Sequence, residues 1–562
     1  MASYWERITN DRMGRRRLLK GSAAFSVGAA ALALIGCSSD DNGSTDAGPL
    51  QTPGTTGSTG NAKPGGLYAT YFSNMGNYNV AAFYHDGYNN SGITVYDRPI
   101  TARADTKGYQ LEAMEKIELA EPTKVVMTLK PGMVYQNKAP VNGRAVKASD
   151  IVNYQNYVKA LPNAENALFQ RTFLDRVEAP DDNTVIYYLK SPSAYLFSST
   201  YLANPTAQPI VPKEVVDAIE QTPAVGSGPF ELVEHTFGQK YVYKKFEQFR
   251  EAKRGMPYFT NRESYSLTDA VAQEAAFRSG QITEWQPTGT LVDRLLNELD
   301  KTKYANTPYL AYSQVGMNSM MNAQLGGPRP WHDVRVREAI YRLTNKQQHV
   351  DLAYARKAVV NQTPIQAGLT AWLLDAKDTE KYYKEDVAAA KQLLSAANFD
   401  SGKEWLVVCS NTTAINATMA EVWQQQLGRA DIKLRIQAMP LAEILPNYMN
   451  NGKFDFWIGS QPGGDTPARA LRNHHSNTND LFNNVGLYNK DIDALIEKSE
   501  QETNREENVK QVKDIQKKIL DQYSLSFNTL TPQNYLFYDA RLQDFIIDPF
   551  VGQDYQYQAW FS

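Results

Sequence analysis

Trp405-Leu406-Val407-Val408-Cys409 is a run of five apolar residues, and the stretch 416–427 that follows sets Met419, Val422, Trp423 and Leu427 at helical spacing. Ile432, Leu434 and Ile436 then alternate with polar residues. The first run predicts a buried strand, the second a helix with one apolar side, and the third another strand. Gly428 stands where a helix C-cap belongs. Strand, helix and strand within 32 residues make a βαβ unit, whose two strands must lie parallel in one sheet. This part of the chain is therefore an α/β lobe.

The same switching of periods extends outward. Lys124-Val125-Val126-Met127-Thr128-Leu129-Lys130 and Val185-Ile186-Tyr187-Tyr188-Leu189 are β-rich runs, bounded by Pro131-Gly132 after the first and Asp181-Asp182-Asn183 before the second. Between them Ile151, Tyr154, Val158 and Leu161 repeat at three and four, with Ser149 expected as N-cap and Asp150 in the first turn. Late in the chain a helical stretch from Asp491 to about Gln522 precedes β-like sequence from Tyr523 to Tyr538.

The first 37 residues read differently. Arg15-Arg16-Arg17-Leu18-Leu19-Lys20 leads into an apolar run from Gly21 to Ile35, which closes on Leu34-Ile35-Gly36-Cys37. Its fifteen residues fall short of the ~20 that an α-helix needs to cross a bilayer core, so residues 1–36 read as a removable leader. The pair Arg15 and Arg16 looks like a Tat-type export signal, and the last four residues resemble a lipobox. In that kind of signal Cys37 receives a diacylglyceryl group and cleavage falls before it. Each buried methylene contributes ~0.8 kcal/mol, so several acyl chains would hold the chain on a membrane surface. Residues 37–65, rich in Gly, Ser and Thr and nearly devoid of apolar side chains, read as a flexible tether.

That leader holds six of the 58 basic residues and two of the 61 acidic ones, so the remaining 526 residues carry a net charge of about −7. A mildly acidic chain without a basic block argues against a nucleic-acid partner. The two cysteines are Cys37 and Cys409, and with the first lipidated neither a disulfide framework nor a Cys-rich zinc site can form. The 33 Tyr, 21 Phe and 8 Trp serve mostly as core and partly, in an exported protein, as a wet recognition cleft.

Four further stretches carry a resemblance. Val125–Met133 followed by Asn142-Gly143-Arg144-Ala145-Val146-Lys147-Ala148-Ser149-Asp150-Ile151 is the first; Ile210-Val211-Pro212-Lys213 with Gly226-Ser227-Gly228-Pro229-Phe230 is the second. Ala276-Phe277-Arg278-Ser279-Gly280-Gln281-Ile282 is the third, and Asn318 with Trp331-His332-Asp333-Val334-Arg335-Val336-Arg337-Glu338-Ala339-Ile340 the fourth. In this order they resemble the family 5 extracellular solute-binding proteins, the oligopeptide, dipeptide and nickel receptors of ABC importers. From the residues themselves, Gly226 and Gly228 permit a tight backbone path, Asp333 caps a helix, and Arg335 and Arg337 anchor that helix.

The resemblance implies a two-lobed periplasmic-binding-protein fold of the large cluster C type, with an inserted subdomain and a hinge. The expected boundaries are 66–310 with 528–562 for the first lobe, about 100–191 for its insertion, and 311–527 for the second lobe. Tyr309, Leu310, Ser526 and Phe527 are the expected hinge. It implies a membrane-tethered monomer that captures an oligopeptide or dipeptide by lobe closure outside the cytoplasm and delivers it to permease subunits and their ATPases. An oligosaccharide receptor, a sensory receptor and a lipoprotein hydrolase are the alternative readings.

Peptide-binding relatives carry a Trp and an Asp in the loop here spanning Phe454 to Pro467, and that Asp pairs with the peptide's α-ammonium. In this chain Asp465 falls later in the loop, with no Trp just before it. The candidate ligand-binding residues are Tyr71, Tyr96, Trp457, Gln461, Asp465 and Phe527, with Tyr78, Tyr84 and Tyr88 in the same aromatic-rich stretch as the first two. His474-His475 reads as a solvated loop, His85-Asp86 gives no firmer metal signal, and no metal or cofactor is expected. HExxH, P-loop, GxSxG and CxxC motifs are missing, so no enzyme reading has a motif beneath it.

Overall fold

In the computed structural model, Glu404–Ser410, the helix Ala414–Gly428 and Lys433–Met439 form the expected βαβ unit, with Trp405 opposite Leu434 and Val407 opposite Ile436 in parallel register. Met419, Ala420, Trp423 and Leu427 bury the apolar side of the helix against Val407, Cys409 and Leu434. Gly428 is the last helical residue, and the left-handed turn comes later, at Asp431 with φ 62°. Strand Phe456–Pro462 lies parallel on the other side of Glu404–Ser410, then pairs antiparallel with Gln314–Met321. Trp331 sits in this core, its ring 4.5 Å from Phe456 and 5.1 Å from Trp405.

The structure describes residues 64–562 apart from 73–78, 81–93, 104–107, 162–166, 205–206, 311–313, 322–328, 412–413, 445–446, 449–452, 477–488 and 546–555. Arg15, Arg16, Cys37, nearly all of the tether, Tyr78, Tyr84, Tyr88 and His85-Asp86 lie outside the described residues.

A second sheet orders Leu67–Phe72, Asn261–Ser266, Lys240–Lys245 and Phe230–Thr236, parallel in the first pair and antiparallel after it. A third, antiparallel sheet of Met114–Glu121, Lys124–Leu129, Thr184–Leu189 and Leu174–Glu178 lies between these elements in sequence, with the helix Ala148–Ala160 packed against it. That helix starts one residue before the predicted cap. Its first-turn Asp150 accepts the Lys147 amide at 3.1 Å and takes two hydrogen bonds from Arg144, at 2.9 and 2.7 Å.

The 14-residue strand Ser526–Asp539 joins the parts. Its first half pairs with Gln314–Met321 and Ala358–Val360, and its second half with Tyr304–Leu310 and Glu284–Trp285. Partners change between Leu530, opposite Met317, and Gln533, opposite Leu310.

Local rules explain the motif residues. Asp333 caps the helix Val334–Leu343 by accepting the Arg335 amide at 2.9 Å. Arg337 donates to the carbonyls of Trp331, His332, Gln522 and Tyr523, anchoring that helix to the chain that enters the long strand. The helix expected from Asp491 to Gln522 is two, Lys490–Gln501 and Arg505–Asp521, because Asn504 caps the second by accepting the Glu506 and Glu507 amides.

Candidate functional site

Strand Phe456–Pro462 alternates. Phe456 and Ile458 enter the core, so Trp457 faces the other way, in register with Val408 and Met320. Only 3% of Trp457 is exposed, and its indole N–H has no hydrogen-bond partner among the described residues. The chain then turns through Gly463-Gly464-Asp465-Thr466-Pro467 into the short helix Ala468–Arg472. Gln366 donates to the Gly464 carbonyl at 2.8 Å, which fixes the turn.

Against this turn lies the segment that leaves the inserted sheet, Ser193 to Asn204. Asp465 accepts the Ser199 amide at 3.0 and 3.1 Å through its two oxygens, and the Ser199 hydroxyl at 2.8 Å. A side chain on Gly464 would begin 2.7 Å from the Thr200 hydroxyl, so glycine is what lets the two segments close up. Further along the seam the Ala194 amide donates to the Glu500 carbonyl at 2.7 Å. Tyr195 and Asn508 exchange hydrogen bonds, at 3.1 and 2.8 Å, while the Trp372 indole donates to Asn508 at 2.9 Å. Glu500 is buried and is paired with Arg472, which supplies the charge such a carboxylate needs.

The remaining candidates are spread along the strands. Tyr71 packs with the Phe277 and Trp285 cluster, and its hydroxyl accepts the Gln286 amide at 3.4 Å. Tyr96 is buried in the large core beside Gly226, and burial raises its hydroxyl's pKa. Gln461 and Phe527 are described by backbone alone, level with Gly316 and Ser319 on the two sides of strand Gln314–Met321. Of the hinge candidates, Tyr309 and Leu310 pair with Asn534 and Gln533, while Ser526 and Phe527 pair with Met320 and Ser319.

A polar notch of about 410 Å³ lies beside the change of partners, lined by Asp293, Asp351, Ala355, Arg356 and Lys357. Lys357 pairs with Asp293 at 2.5 Å, and its carbonyl accepts the Gln533 amide at 2.9 Å. The pair thus bridges the helix Thr290–Glu298 and the long strand.

His474 and His475 are not the solvated loop that their Asn-rich surroundings suggest. Both are buried, His475 with its Nε2 3.1 Å from Glu497 and His474 with its Nδ1 2.9 Å from the Ser524 hydroxyl. Among the described residues no group of three or more His, Cys, Asp or Glu could hold a metal ion. Burial brings the His474 pKa down to about 4. Its unfolded value is about 6.5, so the unfolded chain takes up the proton first. The stabilisation is present above pH 6.5 and is lost as the pH falls through about 4. His474→Gln is expected to flatten the fall in stability between pH 7 and 4.5 by about 2 kcal/mol, read from denaturant titrations at each pH.

Sequence reading did not single out Ser199, Tyr195, Glu500 or Asn508. Each is an ordinary polar or aromatic residue whose partner lies far along the chain, 266 positions away for Ser199 and Asp465.

A family model described as bacterial extracellular solute-binding proteins, family 5 Middle, matches residues 111–482. The glutathione-binding protein GsiB of Pectobacterium atrosepticum is 22% identical over 404 residues, covering 70% of this chain and 74% of its own. Among solved structures, the oligopeptide-binding protein AppA of Bacillus subtilis, in complex with a nonapeptide, aligns with a TM-score of 0.76 at 18% identity, over 89% of this chain and all of that one. DppA of Helicobacter pylori, in complex with the peptide STSA, aligns with a TM-score of 0.74 at 15% identity, over 89% and 98%. These likenesses establish the fold, two lobes of the periplasmic-binding-protein type, and the family model covers most of the chain. The protein belongs to the family 5 bacterial extracellular solute-binding proteins.

Proposed function

We propose that this protein is the receptor of an ABC importer, that its solute is a short peptide, and that it binds without turnover. The observation that carries the reading is the strand Ser526–Asp539, which is shared between the sheet of Gln314–Met321 and the ladder of Tyr304–Leu310. The change of partners on this strand, between Leu530 and Gln533, would be a natural axis for lobes that open and close. The lobes are taken as 66–310 with 528–562, carrying the insertion at about 100–191, and 311–527. We take the second crossing between the lobes to lie at this change of partners, a few residues after Ser526 and Phe527.

Ligand acts by population shift: it favours the closed form only as far as it binds that form better than the open one. A peptide between the lobes would offer backbone donors and acceptors to strand ends, and aromatic rings at the cleft would supply apolar area around its side chains. Support for a peptide comes from the family and from neighbours whose bound ligands are peptides. Export through the Arg15-Arg16 signal and lipid on Cys37 would keep a monomeric receptor beside its permease, on a tether of roughly thirty residues. Native mass spectrometry of the purified protein tests the solute class.

A further inference from the structure

We infer that Asp465 is a closure latch gripping Ser199, and that it is thereby withheld from a ligand's amine. This rests on the receptor reading above. A carboxylate close to a binding cleft is the usual partner for a peptide's α-ammonium, because that pairing is charge-assisted. The loop from Phe454 to Pro467 has two carboxylates, Asp455 and Asp465. Asp455 forms an ion pair with Arg329 and accepts the Leu406 amide at 2.8 Å, so it is committed to its own strand.

Asp465 uses both oxygens on Ser199, which lies in the segment leaving the inserted sheet, while Asp465 itself follows a strand of the large sheet. The contact therefore spans the two parts that the hinge would move. It is not an isolated touch. The Gly464 and Thr200 close approach and the Ala194 to Glu500 and Tyr195 to Asn508 hydrogen bonds run along the same seam. Opening the lobes would break the Ser199 contact and expose a half-buried carboxylate, so the latch weights the closed form.

The recognition that follows is indifferent to the ligand's amino terminus. With Asp465 engaged, neither acid of this loop is available to distinguish a free α-ammonium from a blocked one. The solute class widens accordingly to peptides with acylated or otherwise uncharged amino ends.

The test uses the full chain as wild type, Ser199→Ala and Asp465→Asn, stripped of retained ligand. Small-angle X-ray scattering reads lobe opening, and binding is measured with a synthetic tripeptide pool and with the same pool N-acetylated. The latch predicts that Asp465→Asn is more open than wild type, because a neutral amide accepts the Ser199 amide and hydroxyl more weakly than a carboxylate does, and that Ser199→Ala opens less, since it removes the hydroxyl bond and keeps the backbone amide bonds. It predicts that the wild type binds the two pools within about threefold, and that Asp465→Asn weakens both by about tenfold, which is about 1.4 kcal/mol of closure. Unchanged scattering in all variants would overturn it. So would a wild type that loses affinity on acetylation while Asp465→Asn treats the pools alike, the signature of an ammonium receptor. Failure of both pools to bind would count against the peptide reading, and the scattering would still decide the latch.

Discussion

Gly226→Ala is expected to lower stability by about 3 kcal/mol or more, the upper part of the range for overpacking a tight site. The added methyl would sit 2.2 Å from the Val95 carbonyl oxygen and 2.8 Å from the Tyr96 ring. Backbone is what it meets, so no side-chain rotation relieves the clash. The crowding exists because this stretch is laced to its neighbours: the Gly228 amide donates to Val95 at 2.8 Å, the Gln136 amide donates to the Gly226 carbonyl at 2.9 Å, and the Gln136 side chain accepts the Gly226 amide at 3.2 Å. Those bonds tie the entry of strand Phe230–Thr236 to the segment leading into the insertion. A matched control is Gly238→Ala, where φ is +71° and a methyl meets nothing within 4 Å. That change carries only the backbone penalty, about 1 kcal/mol. Denaturant midpoints of the two variants should therefore differ clearly; equal midpoints would show that the Val95 contact is soft.

Arg250→Ala is expected to cost about 3–5 kcal/mol, since it strips the cation from two buried carboxylates at once. The Arg250 side chain is 4% exposed, that of Asp97 3% and that of Glu112 1%. Its Nε donates to Asp97 at 2.8 Å, its Nη1 donates to Glu251 at 2.9 Å, and it also pairs with Glu112. Tyr557, near the C-terminus, donates to Glu112 at 2.9 Å, so the cluster knits together the start of the insertion, residue 250 and the chain's end.

Desolvation already raises the Asp97 pKa, with Arg250 opposing it. Without that opposition the folded-state value climbs further above the unfolded one. Stability of the variant is then greatest at low pH and is lost as the pH rises through the raised value. Denaturant titration of Arg250→Ala should show its deficit growing from pH 4 to pH 7. Adding Asp97→Asn and Glu112→Gln to Arg250→Ala should return much of the loss, because neutral amides no longer need a cation. A deficit independent of pH would instead mean that packing against Phe249 and Tyr557 is what Arg250 supplies.

What could be read from sequence was what local rules decide. The stretch from Trp405 to Met439 follows its periods, and Asp333 caps its helix because a carboxylate at that position satisfies a free amide. The helix begins one residue before the expected cap, Ser149, because Arg144 and the Lys147 amide fix Asp150 as the third helical residue. Helical periodicity runs through the break before Arg505, which Asn504 sets by accepting the Glu506 and Glu507 amides. Burial of His474 depends on Ser524, and the grip on Asp465 depends on Ser199, which no short-range pattern brings together. Composition in the 473–484 stretch points to solvent, whereas Glu497 of helix Lys490–Gln501 and Ser524, just before the long strand, contact the histidines.

If a short peptide occupies the space between the lobes, native mass spectrometry of the protein as purified, followed by release and sequencing of whatever it retains, will find it. The expected protein carries a ladder of short peptides that is lost on mild denaturation. Retained masses at hexose spacing, or sustained turnover of peptide by the same preparation, would overturn the peptide reading.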